Sequence, residues 1–230
     1  MAEQLGKIEK PRAEPFRRGK KLYLVPLIYL NEDSPLGYRE RCNRYWRQVA
    51  EQLDNLEAKI GKVNRIYHEA VYQYGEEGMK VVEKANTNSY QIAKSRCDNG
   101  ATFEAIEEKE LVEEVMDWER CLLFGFMTEK VASKISEFYL EAATKRYEFM
   151  AKRISETLKD DEAGLLFIRE GHKVQFPGDM EVFSVFPPAL DEVHRWLRDE
   201  AKAEEKREER EEARKRHNKE TEEKQEEAED

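Results

Sequence analysis

A run of regularly spaced apolar residues constrains the fold of this chain more than any other feature. Between residues 42 and 70, apolar side chains recur at alternating steps of four and three residues. Such a repeat averages 3.5 residues and places one narrow apolar stripe along a helix, where a partner helix can cover it. The positions are Cys42, Trp46, Val49, Leu53, Leu56, Ile60, Val63, Tyr67 and Ala70.

This pattern predicts one long helix that begins near Ser34-Pro35, since proline is favoured in the first turn of a helix. The helix has about 38 residues and a length of about 57 Å, too long for a small globular core. Two more amphipathic segments follow, at 106–122 and 131–158. We expect the segment at 131–158 to run antiparallel to the first helix, so that the two cover each other's apolar stripes.

Short apolar runs at both ends of this helical region predict strands. They are KKLYLVPLIYL at 20–30, GLLFIR at 164–169 and EVFSVFP at 181–187, with a further short strand possible at 173–176. Pro26 lacks a backbone donor, so the first strand should lie at a sheet edge, carry a bulge or end there. The expected fold class is therefore α+β and predominantly helical: long antiparallel amphipathic helices form a coiled-coil-like stalk on a small sheet of N-terminal and C-terminal strands.

Composition divides the chain into three parts. Residues 1–19 contain scattered prolines, glycines and charges and predict a flexible N-terminal arm. Residues 20–200 then form a single α+β domain, with the helical stalk at about 36–160. Residues 201–230 hold 13 acidic and 9 basic side chains and no apolar residue larger than alanine, which predicts a charged tail, either helical or disordered.

The charge balance narrows the classes of partner. A net charge of -10 argues against a general nucleic-acid-binding protein, although the basic cluster of Arg17, Arg18, Lys20 and Lys21 leaves a local contact with RNA open. We expect no membrane span, because no apolar run approaches about 18 residues, and the first residues lack the apolar region of a signal peptide. The three cysteines include no CxxC pair, so the prediction is a cytoplasmic protein without disulfides.

One group of carboxylates has the spacing of helical metal ligands. Glu110, Glu114 and Asp117 lie at i, i+4 and i+7 and so share one helix face, as oxygen ligands for divalent cations do in helical bundles. The Glu-x-x-His motif of di-iron bundles is missing, and in such an acidic chain a solvated helix face is the favoured interpretation. No cofactor is expected.

Two histidines are candidates for acid-base chemistry, because the imidazole pKa lies near neutrality. His68 is followed by Glu69, which could orient its ring, but a packed helix residue is the more common role. His172 lies between two predicted strands, where with Glu170 and Asp191 it could form a site at the strand ends. A simple hairpin turn at Gly171 is the alternative interpretation.

The sequence contains none of the common signatures of hydrolases, nucleotide-binding proteins or zinc sites. We therefore expect a protein-interaction, scaffold or adaptor protein that acts through its long helices, by binding a protein partner or by self-association. The alternative is an RNA- or translation-associated factor, or a hydrolase, with its site at the strand ends near His172.

Overall fold

The computed structural model describes residues 19–31 and 33–229. Within this part of the chain, five strands and six helices follow one another. They are β1 (Lys20–Pro26), α1 (Leu36–Lys59), β2 (Val63–His68), α2 (Gly75–Ala85), α3 (Thr87–Asp98), β3 (Thr102–Phe103), α4 (Lys109–Leu123), α5 (Glu129–Thr157), β4 (Ala163–Ile168), β5 (Met180–Ser184) and α6 (Pro188–Glu229). These described residues form two compact units, one made of residues 19–30 together with 46–186, the other of residues 31 and 33–45 together with 187–229.

The first unit is built on one five-stranded sheet in the order β3-β2-β4-β1-β5. All four strand pairs are parallel, and the central strand β4 places Leu166 beside Leu24 of β1 on one side and beside Tyr67 of β2 on the other. The predicted fold class is therefore wrong. Two of the strands come from the region expected to be helical, and the sheet is an α/β-type parallel sheet rather than a small base beneath a stalk of antiparallel helices.

Helices cover both faces of the sheet, which explains the uninterrupted apolar sequence of β4. On one face, Met150, Ile154 and Leu158 of α5 pack against a buried cluster that includes Leu22 and Leu166. On the opposite face, the Trp46 ring of α1 lies 6.3 Å from the ring of Phe167. We expected α5 to pair with α1, but the sheet separates the two helices.

The long helix predicted from the 3.5-residue repeat ends after 24 residues, at Lys59. A short turn that contains Gly61 follows, and the chain then forms β2. The apolar residues Val63, Ile66 and Tyr67 are buried in that strand. The 3.5-residue spacing extends into β2 by coincidence. Its β-branched and aromatic residues suit a strand as well as they suit the apolar stripe of a helix.

Two details of the predicted strands also change. β1 ends at Pro26, one of the outcomes expected for that proline, although the strand lies inside the sheet between β4 and β5. The further strand considered at 173–176 is absent: these residues form a loop whose Val174 and Phe176 pack against the core. Their apolar character reflects burial of a loop rather than strand pairing.

The second unit contains the first half of α1 and the 42-residue helix α6. The Tyr38 and Trp196 rings lie 5.4 Å apart, and Arg44 donates a hydrogen bond to Glu192 at 2.6 Å. The charged segment from residue 201 continues α6 as far as Glu229.

Candidate functional site: the strand ends and the α4–α5 hairpin

The carboxyl ends of β2 and β4 form the position at which parallel sheets most often bind ligands. From β2 the chain continues outward to β3, whereas from β4 it continues in the opposite direction to β5. Neighbouring strands with diverging connections leave a crevice beyond their carboxyl ends. Glu69 directly follows β2 and Arg169 directly follows β4, so these two residues face each other at that crevice.

A network of buried charges occupies the crevice. The Arg146 Nε donates to Glu107 Oε2 at 2.9 Å, and its Nη2 donates to Glu69 Oε1 at 3.3 Å. All three side chains are at most 3% exposed. Burial alone would lower the pKa of Arg146, but the hydrogen bonds and charges of Glu107 and Glu69 raise it above its ordinary value. Arg146 is therefore a permanent cation between two carboxylates.

Further bonds complete the network. The Arg169 guanidinium donates to Glu69 and, through Nη1, to Glu119 Oε1 at 3.0 Å, while its backbone N–H donates to Glu69 Oε2 at 2.6 Å. Glu107 Oε1 accepts the backbone N–H of Ala70 at 3.0 Å, and Ala70 has a φ of 63°, an uncommon value for a residue with a side chain. Both buried carboxylates are thus held by arginines and backbone donors, an arrangement suited to rigid positioning rather than to proton abstraction.

His172 is brought to the same crevice from the loop after β4. Its Nδ1 is buried without a hydrogen-bond partner among the described residues, and its ring lies 6.1 Å from that of Phe176. Burial lowers the pKa of His172, and the charge of Glu69 opposes this shift only in part. Glu170 is exposed beside it, whereas Asp191 lies on α6 in the second unit, where it pairs with Arg195 at 3.0 Å.

The other predicted site residues have structural surroundings. His68 is in β2 and 1% exposed, with Nδ1 bonded to the Glu69 carbonyl at 2.7 Å and Nε2 bonded to Ser89 Oγ at 3.1 Å. Burial lowers the pKa of His68 to about 4, so the ring is neutral. The Ser89 hydroxyl is fully buried as well, which places this serine-histidine pair beyond the reach of a substrate.

The proposed metal ligands all lie on the exposed face of α4. Glu110 and Glu114 point to solvent, and Asp117 pairs with Arg120 at 2.9 Å. Among the described residues, no group of three or more histidine, cysteine or acidic side chains has the arrangement of a metal site. The three carboxylates therefore form a solvated helix face in this structure.

The basic cluster is only partly described, since Arg17 and Arg18 lie outside the described residues. Lys20 Nζ donates to the Ser155 carbonyl at 3.1 Å and lies 3.8 Å from Asp179. Lys21 is buried and donates to the Gly19 carbonyl at 2.8 Å. These two lysines are engaged within the protein rather than presented to a nucleic acid.

Helices α4 and α5 form a hairpin. Val115 of α4 packs against Ala142 and Ala143 of α5, and the Trp118 and Phe138 rings stack at a centroid distance of 5.1 Å. The small alanines allow the two helices to approach closely. The hairpin is tied to the sheet by the charged network, because Glu119 of α4 and Arg146 of α5 bond to Arg169 and Glu69 at the strand ends.

The connection between these helices exposes large apolar side chains, a set that we call the hairpin tip. Leu123 is 86% exposed, Phe124 is 71% exposed and Met127 is fully exposed. With the smaller contributions of the other members, the tip presents roughly 600 Å² of apolar surface, at the upper limit for a typical monomer. The hairpin tip consists of Leu122, Leu123, Phe124, Met127 and Val131.

The segment LLFGFM at 122–127 joins the two amphipathic segments predicted at 106–122 and 131–158, and no exposed apolar surface was predicted there. The available signal was composition: connections between helices are usually polar, whereas this one is apolar on both sides of its glycine.

Comparisons with known protein families, with curated proteins and with solved structures gave no match. None of the described helices has a stretch long and apolar enough to cross a membrane.

Proposed function

We propose that this chain is a protein-interaction protein that associates with a second copy of itself through the hairpin tip. The observation that carries the proposal is the exposure of Leu123, Phe124 and Met127 at the end of a hairpin fixed to the sheet. The apolar stripe predicted along one long helix does not form, because part of it lies in β2. We therefore propose the hairpin tip, rather than that stripe, as the contact surface.

The area of the tip is sufficient for a pair of copies. Two tips that cover each other would remove about 1,200 Å² from water, the lower end of the range for specific protein interfaces. Interfaces of this size are weak, and we expect a dissociation constant of about 1–100 µM.

The charge around the tip favours a second copy as the occupant. The chain as a whole has a net charge of -10, which makes most surface contacts between copies repulsive. Between Met116 and Lys134, however, three acidic residues are balanced by three basic ones. A two-fold interface brings the same patch of both copies together, and a neutral patch with both signs of charge is compatible with itself.

Sedimentation velocity over a range of concentrations tests the proposal with the full chain. We expect the wild type to shift from monomer to dimer, and Phe124→Ser to weaken dimerisation at least tenfold, because a two-fold interface contains the side chain twice. Leu36→Ser is the matched control, since Leu36 is 73% exposed but lies on α1. Thermal unfolding should show that both variants remain folded.

Two results would refute self-association. One is a wild type that stays monomeric at about 500 µM, several times the largest expected dissociation constant. The other is a dimer that Phe124→Ser leaves intact, because its interface then lies elsewhere.

A ligand site at the strand ends is a second candidate, favoured by the buried Nδ1 of His172 that lacks a hydrogen-bond partner among the described residues. Binding of a small polar ligand fits this observation better than hydrolysis does. Glu69 and Glu107, the buried carboxylates of the crevice, already accept bonds from arginines, so neither is available as a general base.

A further inference from the structure

A cavity separate from the strand ends and from the hairpin tip opens at the β3 edge of the sheet. It has a volume of about 500 Å³ and lies between α2, α3 and β3. This is within the range of small-molecule binding sites. Its interior is lined mainly by apolar side chains, two of them aromatic: Met79, Tyr90, Cys97, Ala101 and Phe103.

The charges around the cavity are unevenly paired. Lys94 Nζ donates to both carboxylate oxygens of Asp98 at 3.0 Å, which neutralises the α3 side. On α2, Lys80 also lines the cavity, and its ammonium bonds to Glu77, which does not line it. Glu76 and Glu83 both line it, and neither carboxylate lies within ion-pair distance of another described residue, although the charge of Glu76 contributes, after that of Glu77, to raising the pKa of Lys80. The cavity therefore combines an apolar interior with an excess of negative charge at its rim.

The spacing of these two carboxylates suggests the shape of a ligand. Glu76 and Glu83 are seven residues apart and share one face of α2, with an axial separation of about 10.5 Å. An alkyl chain of about four to six carbons with an ammonium group at each end fits this span and leaves room for a hydrogen bond at both ends. Its methylene groups would lie along the apolar interior.

We propose that the cavity binds a linear aliphatic diamine or polyamine, with its ammonium groups at Glu76 and Glu83 and its carbon chain over Met79 and Phe103. The same carboxylates disfavour anions such as nucleotides. An uncharged apolar molecule of equal length would leave both carboxylates without a partner, so the two charges distinguish the proposed ligand.

Isothermal titration calorimetry on the full chain, with 1,5-diaminopentane and with spermidine, tests the proposal. We expect saturable binding of one ligand per chain, with pentylamine at least tenfold weaker because it lacks the second ammonium group. Glu76→Gln and Glu83→Gln should each weaken binding at least threefold, and the double variant should abolish it. Glu51→Gln is the control for charge, because it removes one carboxylate from an exposed position on α1.

A variant that fills the cavity tests the location independently of charge. Thr102 is exposed and lines the cavity, so Thr102→Tyr should block binding while the chain remains folded.

The proposal is wrong if neither amine gives a saturable signal up to about 10 mM. It is equally wrong if the double variant binds as the wild type does, since the amines then bind the acidic surface nonspecifically. Phe124→Ser should leave amine binding unchanged, so this test is independent of the hairpin tip.

Discussion

Replacing Arg146 by methionine should destabilise the protein strongly. Arg146 is the shared partner of Glu107 and Glu69, whose side chains are almost completely buried. Methionine keeps much of the side-chain volume but leaves Glu107 as a buried carboxylate without a cation, whereas Glu69 keeps Arg169. Loss of one partner from a buried ion pair costs about 3–5 kcal/mol, a large fraction of the roughly 5–15 kcal/mol that holds a domain together.

Urea unfolding followed by circular dichroism measures this change. A loss of that size corresponds to a fall in Tm of about 6–20 °C for a chain of this length. Lys145→Met is the matched control on the same helix, because Lys145 is exposed and pairs with Glu141 at 2.8 Å. Surface pairs contribute about 0–1 kcal/mol, so the control should unfold almost as the wild type does.

A double variant separates the loss of charge pairing from general damage to the core. Arg146→Met combined with Glu107→Met removes both charges of the pair, and we expect it to recover to within about 2 kcal/mol of the wild type. If the single variant costs less than about 1 kcal/mol, the network does not hold the hairpin to the sheet. If the double variant is no more stable than the single one, the cost came from packing rather than from an isolated carboxylate.

Two further predictions concern His68 and a close backbone approach. The pKa of His68 is about 4 in the folded protein against an ordinary value of 6.5, so the unfolded chain takes up a proton first as pH falls. The contribution of this group to stability is complete above about pH 6.5 and falls by about 1.4 kcal/mol per pH unit down to about pH 4. Urea unfolding at pH 7 and 5 should show this loss, and His68→Asn should reduce the pH dependence; an unchanged dependence would contradict it. Gly78→Ala should cost about 1–3 kcal/mol, because a Cβ there would lie 2.4 Å from the Phe103 ring and 2.5 Å from the Gln73 carbonyl. Gly61→Ala meets no atom within 4 Å and should change stability little; equal melting temperatures for the two variants would show that Gly78 is not tightly packed.

The sequence predicted those elements in which local pattern and tertiary environment agree. The segment at 131–158 has a long apolar stripe and forms α5, and the runs around Leu165 and Val182 form β4 and β5. The sequence pattern gave a wrong prediction at β2. Val63 and Tyr67 continue a helical spacing, although the helix ends at Lys59, before the turn that contains Gly61. β3 has only two residues and depends on its pairing with β2, so no local pattern marks it.

The charged network could not be predicted from sequence. The bonded pairs among Glu69, Glu107, Arg146 and Arg169 are separated by 39, 77 and 100 positions along the chain, and charged residues make up 39% of it. Nothing local distinguishes these four from their many solvated counterparts. The hairpin tip was easier to predict from sequence, because an apolar connection between helices is unusual. Its exposure, however, depends on how the hairpin packs on the sheet.

The order of strands in the sheet has a consequence for synthesis of the protein on the ribosome. β1 and β2 do not pair with each other, because each pairs with β4. β4 begins only at residue 163, so a nascent chain that lacks it leaves the backbone N–H and C=O groups along the facing edges of both earlier strands unpaired. The native sheet therefore assembles late, once about three quarters of the polypeptide has been translated: β4 inserts between two strands that were made long before, and β5 then pairs with β1.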